Sequence, residues 1–311
     1  MTERVAAIDC GTNSIRLLVA DLDPATGALK DLDRRMEIVR LGQGVDKTGR
    51  LAPEALERTF AACRGYRDAI TALGVERLRF VATSASRDAE NREEFRAGVR
   101  ELLGVEPEVI AGDEEAALSF LGATRELGGG AGGFARPYLV VDIGGGSTEF
   151  VLGDDRVEAA RSVDVGCVRM TERHLRSDPP TAEQIAAARH DIEAAIDQAA
   201  RDVPLDRAKT LVGLAGSVTT VAAIALDLPE YDSARIHHTR VGVARVREVA
   251  GRLLASTHER RAAIPVIHPG RVDVIGAGAL VLLTIMERVG ADEVVVSEHD
   301  ILDGIAWSVL G

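Results

Sequence analysis

The stretch Val5-Ala6-Ala7-Ile8-Asp9-Cys10-Gly11-Thr12-Asn13-Ser14-Ile15-Arg16-Leu17-Leu18-Val19-Ala20 decides the fold. Val5 to Asp9 reads as a short apolar strand, and Ile15 to Ala20 as a second one rich in Leu and Val. The glycine turn between them makes a β-hairpin, and Gly11 lets its backbone N–H groups approach a ligand with no Cβ in the way.

The pattern recurs. Tyr138 to Val141 is an apolar strand running into Asp142-Ile143-Gly144-Gly145-Gly146-Ser147-Thr148, and Glu149 to Leu152 follows as another strand. Both copies share D-x-G-x-x-S between two strands, and each opens one presumed domain, which points to two related halves. Thr12, Ser14, Ser147 and Thr148 add hydroxyl donors, and Asp9 and Asp142 stand at strand ends, where carboxylates can hold a divalent cation. Neither copy has the Lys and following helix of a P-loop.

Outward from the hairpins, helices are expected over 54–73, 92–103, 113–127, 183–200, 243–256, 272–289 and 301–310. Strands are expected over 79–83, 108–111, 210–214 and 293–296. Pro53 suits a first helical position, and Thr181 with Gln184 forms a capping box. The run Gly128 to Gly133 cannot hold a helix or strand and reads as a connection. Residues 1–127 and 134–299 are then the two domains, with the C-terminal helix 300–311 expected to pack back on the first.

The paired hairpins resemble the phosphate-binding loops of the actin-like ATPase superfamily. In the detail of Asp142-x-Gly-Gly-Gly-Ser-Thr-Glu149 they resemble the exopolyphosphatase/guanosine pentaphosphate phosphohydrolase (Ppx/GppA) family, in its short form. Ala82-Thr83-Ser84-Ala85-Ser86-Arg87, Gly112-Asp113-Glu114-Glu115-Ala116 and His268-Pro269-Gly270-Arg271-Val272-Asp273 match that family too. The resemblance implies an α/β fold of two actin-like (ribonuclease H-like) domains of the acetate/sugar kinase–chaperone–actin superfamily, facing a central cleft. It implies Glu115 as the catalytic base, with Asp142 and Glu149 also catalytic. It places Asp9, Asp142 and Glu149 on Mg²⁺ (or Mn²⁺), and Gly11, Thr12, Asn13, Ser14, Arg87, Gly144, Gly145, Gly146, Ser147 and Thr148 on phosphate. Where the family has Ser before the glycine and Arg after Glu-Glu-Ala, this chain has Ala111 and Ala117, so one cation is missing.

The implied activity is removal of terminal phosphate from inorganic polyphosphate. Guanosine pentaphosphate 5′-phosphohydrolase, a sugar or acetate kinase and a non-catalytic polyphosphate or nucleotide sensor are the alternatives. A homodimer is also implied. Gly213 to Thr220, with Gly216 and Ser217, resembles a third, adenosine-side loop, or else serves close packing. Gly276-Ala277-Gly278 reads as a helix-packing surface. Arg169, Arg240 and Arg271 are candidates for a polyanion path, or are simply solvated. His237-His238 and His299-Asp300 lack the spacing of zinc ligands and are expected as ordinary surface or core residues.

Bulk properties agree. The chain has 311 residues, 46% hydrophobic and 28% charged, enough for two domain cores. A net charge of −12 without a basic block argues against nucleic-acid binding. No apolar run approaches a membrane span, and no signal-peptide pattern opens the chain. Scattered Cys10, Cys63 and Cys167 fit reduced thiols and a cytoplasmic location.

Overall fold

The computed structural model describes residues 2–127 and 133–310. The glycine connection lies, but for Gly133, outside the described residues. The chain divides into two compact units, one comprising Met1–Gly122 and Ile301–Gly311, the other Ala123–Asp300.

In order, the first unit has β1 (Glu3–Cys10), β2 (Ser14–Asp23), β3 (Ala28–Ile38), α1 (Val45–Thr48), α2 (Pro53–Ala72), β4 (Arg77–Ala82), α3 (Ser84–Asp88), α4 (Arg92–Leu103), β5 (Glu108–Val109) and most of α5 (Gly112–Thr124). The second continues with β6 (Tyr138–Ile143), β7 (Thr148–Gly153), β8 (Val157–Val163), α6 (Cys167–Arg173), α7 (Ala182–Ala199), β9 (Thr210–Leu214), α8 (Ala215–Ala225), α9 (Ser233–Ile236), β10 (Arg240–Gly242), α10 (Val243–Ala255), α11 (His258–Ala262), α12 (Ile275–Val289) and β11 (Glu293–Val296). The chain then returns to the first unit as α13 (Ile301–Ser308).

The five-stranded sheet has the order β3-β2-β1-β4-β5; the six-stranded sheet, read from its other edge, runs β8-β7-β6-β9-β11-β10. The two match strand for strand over five positions. In each, the first strand pairs antiparallel with the second and parallel with the fourth. The repeat seen in the hairpins thus extends to the whole sheet topology.

Both faces of the first sheet are covered, which is why its central strands are apolar over most of their length. Ala6, Ile8, Cys10, Ile15 and Leu17 share a core with Leu56, Tyr66 and Phe95 of α2 and α4. Val5, Ala7, Leu18 and Leu22 pack instead against Ile301, Leu302 and Ile305 of α13. A Cβ on Gly304 would lie 2.0 Å from the Leu118 carbonyl oxygen, so α13 can seat against α5 only with glycine there. In the second unit α8, α10 and α12 contribute to one large core with β6, β7 and β9.

The capping box forms: the Thr181 side chain accepts from Gln184 N–H, and Gln184 reciprocates. Three strands escape the sequence reading: the three-residue β10, and β3 and β8, the third strand of each repeat. β3 and β8 are sheet edges, half exposed and charged, which hides the apolar signal while protecting the edge. All three cysteines are buried thiols. Among the described residues no helix is long and apolar enough to cross a membrane.

Candidate functional site

Antiparallel register puts directly opposed residues on one face of a sheet. In the second hairpin this opposes Asp142 to Glu149, and Glu149 in turn to Ser162 of β8. Asp142 is 6% exposed and Glu149 1%. The Ser162 hydroxyl donates to Glu149 Oε1 at 2.7 Å. Two opposed buried carboxylates are hard oxygen donors, a set that fits Mg²⁺ or Mn²⁺.

The first hairpin holds a different pair in the same row. Asp9 opposes Arg16, whose Nε and Nη2 both donate to Asp9 Oδ2, at 3.0 and 2.6 Å. An arginine therefore already compensates the Asp9 charge, which makes Asp9 a weaker cation ligand than the pair in the second hairpin. Arg16 was not singled out from sequence. Its signal is its offset from Asp9, the same as that of Glu149 from Asp142.

Each turn is held by its carbonyls. In the second hairpin, Gly144 N–H donates to the Ser147 carbonyl at 3.0 Å, closing the turn. The Gly144 carbonyl accepts from Cys167 N–H, and that of Gly145 from the N–H groups of Val168 and Arg169. The Gly146 carbonyl accepts from Arg169 Nε at 2.7 Å. In a trans peptide the C=O of one residue and the N–H of the next point in opposite directions. Fixing these carbonyls on α6 therefore turns the N–H groups of Gly145, Gly146 and Ser147 away from it. Gly166 permits the contact, since a Cβ there would lie 2.5 Å from the Gly145 carbonyl.

The first hairpin is built alike. Gly11 N–H donates to the Ser14 carbonyl; Thr12 C=O accepts from Gly42 N–H, and Asn13 C=O from the N–H groups of Val39 and Arg40. Gly42 plays the part of Gly166, as its Cβ would sit 2.3 Å from Thr12 Cγ2.

Of the hydroxyls expected on phosphate, two are otherwise engaged. Thr12 Oγ1 lies 2.9 Å from Ser84 Oγ in a buried pair. Thr148 Oγ1 donates to the Val165 carbonyl at 2.7 Å, and Thr148 is wholly buried. It fastens β7 to the chain entering α6 instead of facing a ligand.

Glu114 and Glu115, adjacent in the first turn of α5, go separate ways. Glu114 is half exposed and paired with Arg79 at 2.6 Å. Glu115 is buried, and Arg87 Nη1 donates to its Oε2 at 3.1 Å and to the Ile110 carbonyl at 2.9 Å. Arg87, expected on phosphate, is thus also the residue that orients Glu115.

At the third loop the packing expectation has a basis. β9 passes into α8 through Ala215, whose φ of 67° is unusual for a residue with a Cβ. A Cβ on Gly216 would meet the Arg271 guanidinium at 2.2 Å, so the glycine gives Arg271 its place over the loop. The Gly278 position abuts Ser217 Oγ, as a packing glycine should. Burial pushes the Cys167 thiol up against the pull of Ser217 and Arg271, so it is no thiolate nucleophile. Arg240 is paired with Glu293 and half exposed.

Two of the histidines share one carboxylate neighbour. His237 Nε2 lies 3.3 Å from Glu126 Oε2, and His299 Nδ1 lies 3.4 Å from the same oxygen. Spacing rules for zinc motifs missed this cluster because its members come from far-separated parts of the chain.

Twice-repeated sheets of this order, each opening on a glycine-and-hydroxyl hairpin, are those of an actin-like fold. The chain belongs to the Ppx/GppA phosphatase family, which it matches over residues 18–311. It is 52% identical to Exopolyphosphatase 2 of Mycobacterium tuberculosis, over 99% of each chain. The crystal structure of an exopolyphosphatase-like protein superposes with a TM-score of 0.93 at 46% identity, over 98% of each chain. That of the Aquifex aeolicus family member gives 0.81 at 30% identity, over 100% of this chain and 98% of the other.

Proposed function

We propose that this chain is an exopolyphosphatase, which hydrolyses the terminal phosphoanhydride of inorganic polyphosphate and releases orthophosphate. The observation that carries the substrate assignment is the full-length 52% identity to Exopolyphosphatase 2.

The chemistry follows from the residues of each unit. Backbone N–H groups of Gly145, Gly146 and Ser147 in the second hairpin, and of Asn13 and Ser14 in the first, bind phosphate oxygens. Such preorganised donors stabilise the charge that develops in phosphoryl transfer. Glu115 takes the proton from the attacking water as the P–O bond to the leaving chain breaks, and Arg87 orients it for that task. Asp142 and Glu149 of the second unit would hold Mg²⁺, or Mn²⁺; Asp9 of the first, already paired with Arg16, is the weaker candidate ligand. The ion, when bound, offsets phosphate negative charge. A cytoplasmic location, resting on the scattered buried thiols, and a homodimer, resting on the family resemblance, complete the proposal.

The test is phosphate release measured side by side from polyphosphate, guanosine pentaphosphate and ATP, with Mg²⁺ and with excess EDTA. Fastest release from polyphosphate, abolished by EDTA, is expected. Release from guanosine pentaphosphate alone would move the enzyme to the other branch of the family, and full turnover in EDTA would remove the metal.

A further inference from the structure

We propose that Glu126, His237 and His299 of the second unit form a binding site for a divalent transition-metal ion of the zinc class. Nitrogen and carboxylate ligands bind Zn²⁺ at about 2.0–2.1 Å, so neighbouring ligand atoms of a tetrahedral site stand about 3.3 Å apart. The Glu126 oxygen stands 3.3 Å from His237 Nε2 and 3.4 Å from His299 Nδ1. One ligand atom from each of the three residues lies within 4.8 Å of the others. Two imidazoles and one carboxylate favour zinc, nickel or copper over Mg²⁺, which separates this set from the all-carboxylate pair Asp142 and Glu149.

Ring contacts and backbone hydrogen bonds are in place before any ion arrives. The His237 ring stacks on His238 with centroids 3.7 Å apart and stands 4.7 Å from that of His299. His299 N–H donates to Ser297 Oγ, whose hydroxyl donates back to the His299 carbonyl. Side-chain exposures of 21% for His237, 29% for His299 and 54% for Glu126 leave a path from solvent. Binding has one identifiable cost. Glu298 N–H donates to His237 Nδ1 at 3.2 Å, and that bond must open, because ligation through Nε2 moves the ring proton to Nδ1.

The location gives the site a role. Glu126 follows the first crossing of the chain between units, after Gly122, and His299 precedes the second, after Asp300. All three ligands belong to the second unit, so a bound ion fastens together the first and last stretches of that unit.

The experiment is titration of the metal-stripped, full-length protein with Co²⁺, followed by visible d–d absorption, then competition with Zn²⁺ and with Mg²⁺. One equivalent of Co²⁺ should bind with the spectrum of a low-coordinate nitrogen–oxygen site, displaced by Zn²⁺ and not by Mg²⁺. His237→Ala, His299→Ala and the conservative, largely exposed Glu126→Gln should each weaken Zn²⁺ binding at least about tenfold, with circular dichroism confirming the fold. Absence of a Co²⁺ spectrum overturns the proposal. So does Zn²⁺ affinity that is unchanged in Glu126→Gln and in the double histidine variant. Neither outcome bears on the substrate of the hairpins, since the readout is independent of phosphate release.

Discussion

Arg87 ties Glu115 to the backbone: a single Nη1 donates both to the Glu115 carboxylate, at 3.1 Å, and to the Ile110 carbonyl, at 2.9 Å. A proton acceptor must be held in place to be efficient, and this contact supplies the holding. Glu115→Gln keeps the shape but cannot take a proton from water at neutral pH. Its kcat should fall by about 10²–10⁴, with KM changed much less. Glu114→Gln loses an exposed pair with Arg79 and should keep near wild-type turnover. A folded Glu115→Gln enzyme with normal kcat would sink the assignment.

The carboxylate pair makes a prediction about cation demand. Glu149→Gln removes one hard anionic donor, so the Mg²⁺ concentration for half-maximal activity should rise about tenfold or more. Ser162→Ala, which only frees Glu149 Oε1 from its hydroxyl, should shift it less. Activity titrated against Mg²⁺ is the measurement, and an unchanged midpoint in Glu149→Gln would exclude a ligand role.

The corresponding row of the first hairpin predicts a stability effect instead. Breaking a buried ion pair costs about 3–5 kcal/mol, and partial solvent access at Arg16 reduces this to about 2 kcal/mol for Arg16→Ala. Adding Asp9→Asn should recover part of the loss, because no buried charge is then left alone. Urea denaturation of the single and double variants decides it. A double variant no more stable than Arg16→Ala would contradict the coupling.

Gly166→Ala should separate α6 from the second hairpin, since its Cβ would lie 2.5 Å from the Gly145 carbonyl. With the carbonyls loosened, the N–H groups lose their aim, and KM for polyphosphate should rise about tenfold, or about 1.4 kcal/mol. Gly251→Ala on α10 meets open space and is the control; there alanine should stabilise the helix by about 0.5–1 kcal/mol. Equal KM in both variants would show that α6 does not set the loop.

Glu287 of α12 supplies the pH test. Burial pushes its carboxyl up, but hydrogen bonds from Arg189 of α7 and Arg247 of α10 outweigh this and hold it below the ordinary value of 4.5. Because the folded value is the lower one, the stabilisation is complete above about pH 4.5 and is lost as pH falls through the folded value. Glu287→Gln should therefore cost about 0.5–1 kcal/mol at pH 7, given solvent screening, and less at pH 3. A cost that does not shrink in acid would refute the linkage.

Much of this was legible in the sequence because both hairpins announce themselves. An apolar strand running into Asp and then Gly leaves few alternatives, and its recurrence at Asp142 reveals the duplication. The parts that stayed hidden share a physical cause: their partners are brought near only by folding. Arg16 looks like a solvated charge until the ladder sets it beside Asp9. Gly42 and Gly166 look like ordinary loop glycines until a second backbone lies against them. Glu126, His237 and His299 obey no spacing rule, since strand β11 and the turns around it bring the two histidines together. The β3 strand was obscured by Lys30, Asp31, Asp33, Arg34 and Arg35, charges that suit an edge and mask its strand pattern.

The clamped carbonyls also decide what each loop rejects. A glycine turn with unengaged oxygens would welcome potassium or ammonium, as oxygen-lined filters do. Here the oxygens of Gly144, Gly145 and Gly146 already accept bonds from Cys167, Val168 and Arg169. The turn is left with one electrical polarity. It attracts anions through its amides, and any cation must be recruited by side chains alone.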